Sequence, residues 1–402
     1  MHWDNPLRGG DGHIAVGRVA TLGTSPRIDA RSIAGTADTW GRTASGDHPA
    51  AGQASNVSSD AAPLPLLADP DRSGLVDGLG RHIDYLRISV TDRCNFRCTY
   101  CIGEHPAFLP KSEVLTLGEI DRIASTFVAL GVRRLRLTGG EPLVRRGIVG
   151  LVASLARHLK SGDLDEITMT TNGALLGHFA GSLAEAGLRR INVSLDTLDH
   201  DTFARVSRFG SLDDVLTGLQ AAHRAGLTVR LNCVVQAGIN DRSIDELMMF
   251  AHGRGMDLAL IETMPIGRAS GERPDRYMPL GLVRADLEKR WTLVDLPDRT
   301  FGPARYVRVR ETGGRVGFIT PISHGFCEGC NRVRLTCDGR LTLCLGRDGS
   351  VDLKPVLRAS AGDEAIRAAI AAAVAQKPQR HGFDLSHADR GGVSHSMHGT
   401  GG

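Results

Sequence analysis

The sequence predicts an α/β fold, a partial (β/α)6 barrel of the TIM type followed by a small C-terminal α+β subdomain. Three observations predict it. Short β-branched runs alternate with segments of helical period between residues 83 and 264, glycines stand just after three of those segments, and the alternation stops near residue 280. Strand–helix units in a row form parallel strands joined by right-handed crossovers. Six such units, where a closed barrel has eight, predict a partial barrel.

The periodicity of apolar residues places each element. Strands are expected at 85–90, 133–138, 166–171, 190–195, 228–234 and 258–264, and helices at 116–130, 145–160, 174–187, 211–225 and 243–254. Past the barrel, helices are expected at 282–290 and 361–375, and strands at 305–311 and 315–320. The chain therefore divides into an N-terminal extension at 1–78, a barrel at 79–280 and a C-terminal subdomain at 281–402.

The N-terminal extension is rich in Gly, Ala, Ser, Asp and Pro and has no sustained period. Such a composition buries too little apolar surface to offset the entropy cost of ordering, so we expect it to be disordered.

Bulk composition excludes several classes of protein. A formal net charge of +3 is too small to indicate a nucleic-acid-binding protein, and no run of about 18 apolar residues predicts a membrane span. Seven of the eight cysteines fall into two tight groups with no secretory signal before them. This arrangement favours metal or cluster ligation in a reducing cytoplasm over a disulfide framework.

Polar motifs follow five of the predicted strands. Active sites of barrel-like α/β folds lie at the carboxyl ends of the strands, so these motifs are expected to share one edge. They are Cys94-Asn-Phe-Arg-Cys98, Gly139-Gly-Glu-Pro, Thr170-Thr-Asn-Gly, Ser194-Leu-Asp and Met264-Pro.

The first cysteine group supplies three thiolates within eight residues: Cys94, Cys98 and Cys101. A [4Fe–4S] cluster that only transfers electrons has four ligands, so three leave one iron open. An open iron can chelate the amino and carboxylate groups of S-adenosylmethionine (SAM). The alternative is a structural zinc site with His105 as fourth ligand, although this cysteine spacing is unusual for zinc.

The run Cys94-Asn-Phe-Arg-Cys98-Thr-Tyr-Cys101 resembles the signature of the radical SAM superfamily, and Gly139-Gly-Glu-Pro is similar to that superfamily's glycine-rich loop. The resemblance implies a radical SAM type of barrel in which cleavage of SAM yields a 5′-deoxyadenosyl radical. It also implies SAM contacts at Tyr100, Gly140, Ser194 and Met264.

The second cysteine group has the spacing Cys327-x2-Cys330-x13-Cys344. The segment 326–336, the run 86–94 and the terminal Gly401-Gly402 resemble the GTP 3′,8-cyclases of molybdenum cofactor biosynthesis. That resemblance implies a second [4Fe–4S] cluster whose open iron binds guanine. Cys337 departs from the family pattern: a fourth ligand there would close the site, whereas a small buried residue would leave it open.

The same resemblance implies the substrate contacts. Arginine suits a triphosphate because its planar fork matches phosphate oxygens, and a buried arginine in an apolar strand needs an anionic partner. The implied GTP contacts are Arg87, Arg136, Thr170, Arg230, Arg332, Val333 and Arg334, with Arg230 where a lysine is common. Gly401 and Gly402 are implied to form a catalytic tail that reaches into the site.

The sequence therefore predicts a cytoplasmic enzyme that converts GTP to 3′,8-cyclo-GTP, with SAM and two [4Fe–4S] clusters as cofactors. A flavodoxin or ferredoxin is expected as reductant, cyclic pyranopterin monophosphate synthase is expected to take the product, and a homodimer is left open. Two alternatives remain: a radical SAM enzyme that modifies a peptide, and a non-catalytic zinc-binding or redox-sensing protein.

Overall fold

The computed structural model describes residues 74–103, 105–266, 276–297, 302–359, 361–383 and 397–401. Residues 1–73 of the predicted extension lie outside the described residues, and so does Gly402. The last residues of that extension are described and pack against the barrel. Leu75 is buried, and its backbone N–H donates to the carbonyl of Leu130 at 2.9 Å. Leu75 is thus part of the folded barrel unit.

The strands begin and end close to the predicted positions within the barrel. They are β1 Tyr85–Ser89, β2 Arg134–Thr138, β3 Glu166–Thr171, β4 Arg190–Ser194, β5 Thr228–Val235, β6 Asp257–Glu262, β7 Leu293–Asp295, β8 Arg305–Val309, β9 Arg315–Ile319, β10 Arg332–Leu335, β11 Arg340–Thr342 and β12 Ser350–Asp352.

Helices follow most of the strands. They are α1 Leu117–Ala129, α2 Ile148–Leu155, α3 Arg157–Lys160, α4 Leu176–Glu185, α5 His200–Ser207, α6 Leu212–Arg224, α7 Ile244–His252, α8 Leu280–Leu287, α9 Lys354–Ala359, α10 Glu364–Ala375 and α11 Met397–Thr400. None of the helices in the described ranges is long and apolar enough to cross a membrane.

Two helix predictions differ from the structure. The helix expected at 145–160 is divided into α2 and α3 at Ala156, and α5 was not predicted. Asp199 starts α5 by accepting the backbone N–H of Thr202 at 2.8 Å. An eight-residue helix carries only two turns of amphipathic pattern, which is too short a signal for a periodicity argument.

The six predicted strands β1 to β6 are parallel neighbours in chain order. Strands of the C-terminal segment extend this sheet at both sides: β10 pairs parallel with β1, and β9 pairs parallel with β6. Antiparallel strands β11 and β12 continue beyond β10, and β8 and β7 continue beyond β9. The boundary predicted at residue 281 thus stays a prediction, because residues on either side of it hydrogen-bond within one sheet.

Apolar and polar residues alternate along the central strands. On β1, Leu86 and Ile88 are fully buried on one face, and Arg87 lies between them on the other. Helices pack beside these strands, α1 on β1 and α7 on β6, and bury apolar side chains such as Phe127. Parallel strands buried under helices on both faces are usually apolar throughout. The polar residues therefore line an inner face that the helices do not cover.

Candidate active site

The first cysteine triad, Cys94, Cys98 and Cys101, lies on the loop after β1, at the carboxyl edge of the sheet. The end of α5 fixes this loop. The backbone N–H of Arg97 donates to the carbonyl of Ser207 at 3.0 Å, and that of Thr99 to Val206 at 2.9 Å. The unpredicted helix thus supports the predicted motif.

The thiols of the first triad are half-buried and face one another. Burial, and then the neighbouring thiols of Cys101 and Cys94, raise the pKa of Cys98. Burial raises the pKa of Cys94 to about 11, although its Sγ accepts the N–H of Phe96 at 3.3 Å and the amide of Asn172 at 3.8 Å. Such thiols ionise on binding a metal. Three converging cysteines with N–H donors to sulfur fit a [4Fe–4S] cluster with one open iron.

The structure also bears on single-ion sites. Across the ranges that the structure describes, no group of three or more His, Cys, Asp or Glu side chains is placed to hold one metal ion.

The glycine-rich loop after β2 packs directly against the cysteine loop. A Cβ on Gly140 would lie 2.4 Å from the carbonyl oxygen of Arg93 and 2.7 Å from that of Asp92. The backbone N–H of Gly140 donates to Thr91, and that of Glu141 to Arg93, both at 2.8 Å. Gly140 is therefore required for the approach of two segments of this chain, whatever ligand it contacts.

Glu141 connects this loop to the end of β3. Its fully buried carboxylate accepts the N–H of Asn172 and the hydroxyl of Thr171, both at 2.7 Å, and the N–H of Leu143 at 3.0 Å. Burial raises the pKa of Glu141 to about 7, because these hydrogen bonds only partly offset desolvation.

The other predicted SAM contacts surround the same edge. The Tyr100 hydroxyl is hydrogen-bonded to Asp196, whose carboxylate also accepts the N–H of Val234 at 2.8 Å. Burial raises the pKa of Asp196 to about 6. Ser194 ends β4, and Met264 comes two residues after β6; both are half-buried. The carboxyl edge thus combines a cysteine triad with two buried carboxyl groups.

The second triad, Cys327, Cys330 and Cys344, lies at the opposite, amino end of β1. Cys330 precedes β10, and the N–H of Tyr85 donates to Asn331 at 3.2 Å where β1 begins. Burial raises the pKa of Cys344, and the thiols of Cys330 and Cys327 contribute to the rise. These three cysteines therefore converge, and their chemistry fits a second cluster with an open iron.

Cations distinguish the second triad from the first. Burial alone would raise the pKa of Cys330, but Arg332 and Lys377 outweigh it and lower this pKa to about 7. The Arg332 guanidinium also lies over the ring of Phe326, 5.0 Å from its centroid.

Cys337 lies apart from the second triad. It follows β10, whereas Cys330 precedes that strand, so the two stand at opposite ends of it. The Cys337 side chain is 1% exposed and is hydrogen-bonded to Ser89, and burial raises its pKa to about 12. This placement matches the interpretation of Cys337 as a small buried residue.

Arginines occupy the inner face between the two triads; Arg230 is buried, and Arg87, Arg136 and Arg334 are half-buried. Arg87 is flanked in register by Arg136 on β2 and Arg334 on β10. Arg136 donates through Nε to Thr168 at 3.2 Å, and its guanidinium lies over the Tyr85 ring, 5.4 Å from the centroid. Burial lowers the pKa of Arg136 and of Arg334 to about 10. Cations at this density are costly unless an anion accompanies them.

Of the remaining predicted substrate contacts, Arg230 and Thr170 continue the same face. The Arg230 guanidinium, on β5, donates to the Tyr306 hydroxyl at 2.8 Å. Thr170 lies on β3, and Val333 is buried on β10 between two of the predicted arginines. The structure thus brings the predicted arginines and Thr170 onto one face of the sheet, whereas Val333, in register with Leu86, has its side chain on the opposite face.

The C-terminal tail reaches this surface. The carbonyl of Gly401 accepts a hydrogen bond from Arg334 Nη1 at 2.6 Å. Gly401 has a φ of +74°, and a Cβ there would lie 2.4 Å from Thr138 Cγ2 at the end of β2. Glycine is thus required at Gly401 both for its backbone conformation and for space. Gly402 follows, outside the described residues.

Sequence reasoning missed several residues of this region. Asn192 on β4 is fully buried, and neither atom of its amide group has a hydrogen-bond partner among the described residues. It lies in register between Thr170 and Arg230. The alternation that identified the arginines could have found it. Lys377 and Arg81, beside the second triad, gave no such signal.

Two family models match the chain. The Radical SAM superfamily model matches residues 88–251, and the Molybdenum Cofactor Synthesis C model matches residues 256–383. The first match contains the first triad and the carboxyl edge, and the second contains the second triad.

Curated relatives match over most of their length. The chain is 58% identical over 330 residues to the GTP 3′,8-cyclase of Agrobacterium fabrum, covering 82% of this chain and 94% of that protein. It is 56% identical over 329 residues to the GTP 3′,8-cyclase of Mesorhizobium japonicum, covering 82% and 99%.

A solved structure agrees at the level of fold. Streptococcus suis SuiB bound to precursor peptide SuiA aligns with a TM-score of 0.51 and 16% sequence identity, covering 73% of this chain and 66% of that chain. At this identity the likeness shows the fold alone.

Proposed function

Since the chain belongs to the GTP 3′,8-cyclase family of radical SAM enzymes, we propose that it converts GTP to (8S)-3′,8-cyclo-7,8-dihydroguanosine 5′-triphosphate. This reaction would be the first step of molybdenum cofactor biosynthesis. One observation carries the proposal: two cysteine triads stand at opposite ends of a single face lined with arginines.

In this proposal Cys94, Cys98 and Cys101 hold the first [4Fe–4S] cluster. Such a cluster, with one iron left open by the three cysteines, would supply the electron for reductive cleavage of SAM, and the ribose C3′ of GTP would be the source of the abstracted hydrogen. Tyr100, Gly140, Ser194 and Met264 surround SAM. The buried carboxyl groups of Asp196 and Glu141 favour a cationic ligand at this edge, and SAM carries a sulfonium and an ammonium group.

The arginines bind the triphosphate. Arg87, Arg136 and Arg230 come from different strands and surround the middle of the inner face, where an anion offsets the cost of their burial. Thr170 and the amide of Asn192 lie between these arginines. They donate hydrogen bonds to the ribose or phosphate oxygens, or accept them from the ribose hydroxyls. Their polar atoms are then paired, as buried polar groups usually are.

Cys327, Cys330 and Cys344 hold the second cluster, and Arg332, Val333 and Arg334 lead from it into the face. The guanine base lies toward this end, so that its C8 faces the ribose C3′. β1 is five residues long, so a rise of about 3.3 Å per residue puts roughly 15 Å between its two ends. A nucleotide that lies along the inner face spans a length of this order.

The tail completes the site. Gly401, held by Arg334 against the end of β2, stands between the two triads, and Gly402 continues it toward the substrate. A tail without side chains leaves room for the nucleotide while its amides and carboxylate contact it. We place the enzyme in the cytoplasm, with a flavodoxin or ferredoxin as reductant and cyclic pyranopterin monophosphate synthase as the next enzyme.

The test is anaerobic incubation of the purified protein with SAM, GTP and dithionite. We expect 5′-deoxyadenosine and the cyclic nucleotide to form together, and both to depend on GTP. If 5′-deoxyadenosine does not rise above a control without GTP, the proposal fails.

Metal analysis separates the alternatives. About eight irons with matching sulfide per chain support two clusters, whereas zinc would support a binding protein. Cys337→Ser is the matched control, because Cys337 stands at the opposite end of β10 from Cys330 and its side chain is hydrogen-bonded to Ser89; it should keep the iron content of the wild type. Turnover of a peptide substrate in place of GTP would favour the peptide-modifying alternative.

A further inference from the structure

Lys377, just after α10, is a buried cation whose N–H groups donate to the segments that carry the second triad. Lys377 is 5% exposed. Its Nζ donates to the carbonyl of Leu343 at 2.6 Å and to that of Arg332 at 2.8 Å, and it is hydrogen-bonded to Cys330. An ammonium has three N–H donors, so these three contacts use all of them.

The two carbonyls belong to different ligand-bearing segments. Leu343 directly precedes Cys344, and Arg332 comes two residues after Cys330. Lys377 therefore connects two segments that also belong to the hairpin of β10 and β11.

The third ligand segment is tied to the same turn by a second cation. Arg81 donates through Nη1 to the carbonyl of Cys327 and through Nη2 to that of Pro378, both at 2.8 Å. Its Nε is paired with Asp77 at 2.6 Å. The turn that begins at Lys377 thus holds all three cysteine segments.

Burying an ammonium is costly unless it is paired and fully hydrogen-bonded. The carbonyls of Leu343 and Arg332 and the sulfur of Cys330 supply those hydrogen bonds to Lys377.

We propose that Lys377 is a positioning residue of the second triad, which joins the Cys330 and Cys344 segments and donates to sulfur so that a cluster assembles there and is retained. This inference rests on the second cluster of the proposed function, but it concerns cluster assembly and not the chemistry of GTP.

The test compares full-length variants reconstituted anaerobically. Cys330→Ala provides the iron content expected without the second cluster, about four irons per chain in place of about eight. Lys377→Met keeps the length of the side chain and removes its charge and donors; we expect its iron content to approach that of Cys330→Ala. Lys377→Gln keeps N–H donors without charge and should be intermediate.

The matched control is Lys354→Met. Lys354 also donates to a carbonyl, that of Glu113 at 3.2 Å, but it is half-buried at the start of α9 and its carbonyl partner is outside the segments that carry the second triad. It should keep wild-type iron. A second measurement follows iron loss to a chelator, which we expect to be at least tenfold faster for Lys377→Met than for Lys354→Met. Circular dichroism of each variant reports whether the fold is intact.

Two results would overturn the inference. Wild-type iron content and wild-type chelator resistance in a folded Lys377→Met would show that Lys377 does not position the site. Equal iron content in the wild type and Cys330→Ala would show that the second triad holds no cluster. Both this inference and that part of the proposed function would then be wrong. If Lys377→Met does not fold, Lys377→Gln decides by the same criteria.

Discussion

The two cysteine triads have the same three thiols and different charged neighbours. Near the first, Asp196 and Glu141 are buried carboxyl groups, Arg97 is a cation close to Cys94, and burial is the largest cause of the raised pKa of Cys98. Around the second, Arg332 and Lys377 are cations, and the pKa of Cys330 is lowered. The spacing of the cysteines in the sequence does not reveal this difference in charged neighbours. The surroundings suit different ligands, a cation at the carboxyl edge and a polyanion extending from the amino end.

The difference in charged neighbours also means that the two triads favour different ligands. A cation bound at the first triad would be stabilised by nearby acids, and an anion near the second by nearby arginines. Under the proposed function, the protein would keep two ligands of opposite charge at opposite ends of one face. The predictions below test that separation, beginning with the largest expected effect.

Replacing one cysteine of each triad should give different kinds of inactive enzyme. Cys94→Ala should abolish 5′-deoxyadenosine formation, because the first cluster loses a ligand. Cys330→Ala should lose the cyclic nucleotide while retaining some SAM cleavage. Anaerobic reactions analysed by liquid chromatography measure both products. Full SAM cleavage by Cys94→Ala would show that the first triad has been misassigned.

Arg334→Ala should weaken GTP binding without affecting SAM binding. Loss of one charged hydrogen bond costs roughly 1.5–3 kcal/mol, about 10- to 150-fold in affinity. Equilibrium binding in the absence of reductant measures both ligands. Exposed Arg308, which donates only to the carbonyl of Gly313 at 3.4 Å, provides the control variant Arg308→Ala. Equal losses of SAM and GTP affinity would contradict the separation.

Asn192→Leu should weaken GTP binding and stabilise the free protein. An unsatisfied buried amide costs about 1–3 kcal/mol, which leucine does not incur, whereas a lost neutral hydrogen bond to GTP costs roughly 2- to 12-fold in affinity. Denaturant titration and GTP binding measure the two effects.

Asn240→Leu is the control for that prediction. The Asn240 amide is buried but satisfied, since it donates to Asp196 at 2.9 Å and accepts from Gln236 at 2.8 Å. Its replacement should destabilise the protein. If Asn192→Leu destabilised it equally, Asn192 would have a structural role and not a binding one.

Glu141 should make stability depend on pH. Its pKa in the folded protein is about 7, above the ordinary 4.5. Its contribution to stability is therefore fully present below pH 4.5 and is lost as pH rises through 7. Between pH 6 and 8 the loss is about 1 kcal/mol. The difference in unfolding free energy between the wild type and Glu141→Gln should fall by this amount; a constant difference would contradict it.

Local pattern in the sequence was enough for the barrel strands and for both triads. It could not show that Cys327 and Cys94 lie at opposite ends of the sheet, because that depends on β10 pairing with β1. Such pairing is between distant segments and leaves no local pattern. Gly140 was predicted as a SAM contact, but the structure adds a requirement of the fold, because the carbonyls of Asp92 and Arg93 lie where a Cβ would be.

Lys377 is a second kind of residue whose role the sequence could not identify. A lysine after the Ala-rich helix α10 has the sequence appearance of a solvated helix end, and only its contacts with Arg332 and Leu343 reveal otherwise. The domain boundary near 281 and the roles of the site residues stay predictions.

The pairing of β10 with β1 affects how the protein is made. Asn331, at the start of β10, donates to Asp84, 247 residues earlier in the chain. During translation the flank of β1 that β10 will cover stays exposed until nearly all of the polypeptide has left the ribosome, and an uncovered strand invites aggregation. If both proposed clusters are present, the first would be inserted into a nascent chain, whereas the second would have to wait for the turn at Lys377. Biogenesis would then proceed in a fixed order, with the catalytic centre loaded before the substrate-binding one.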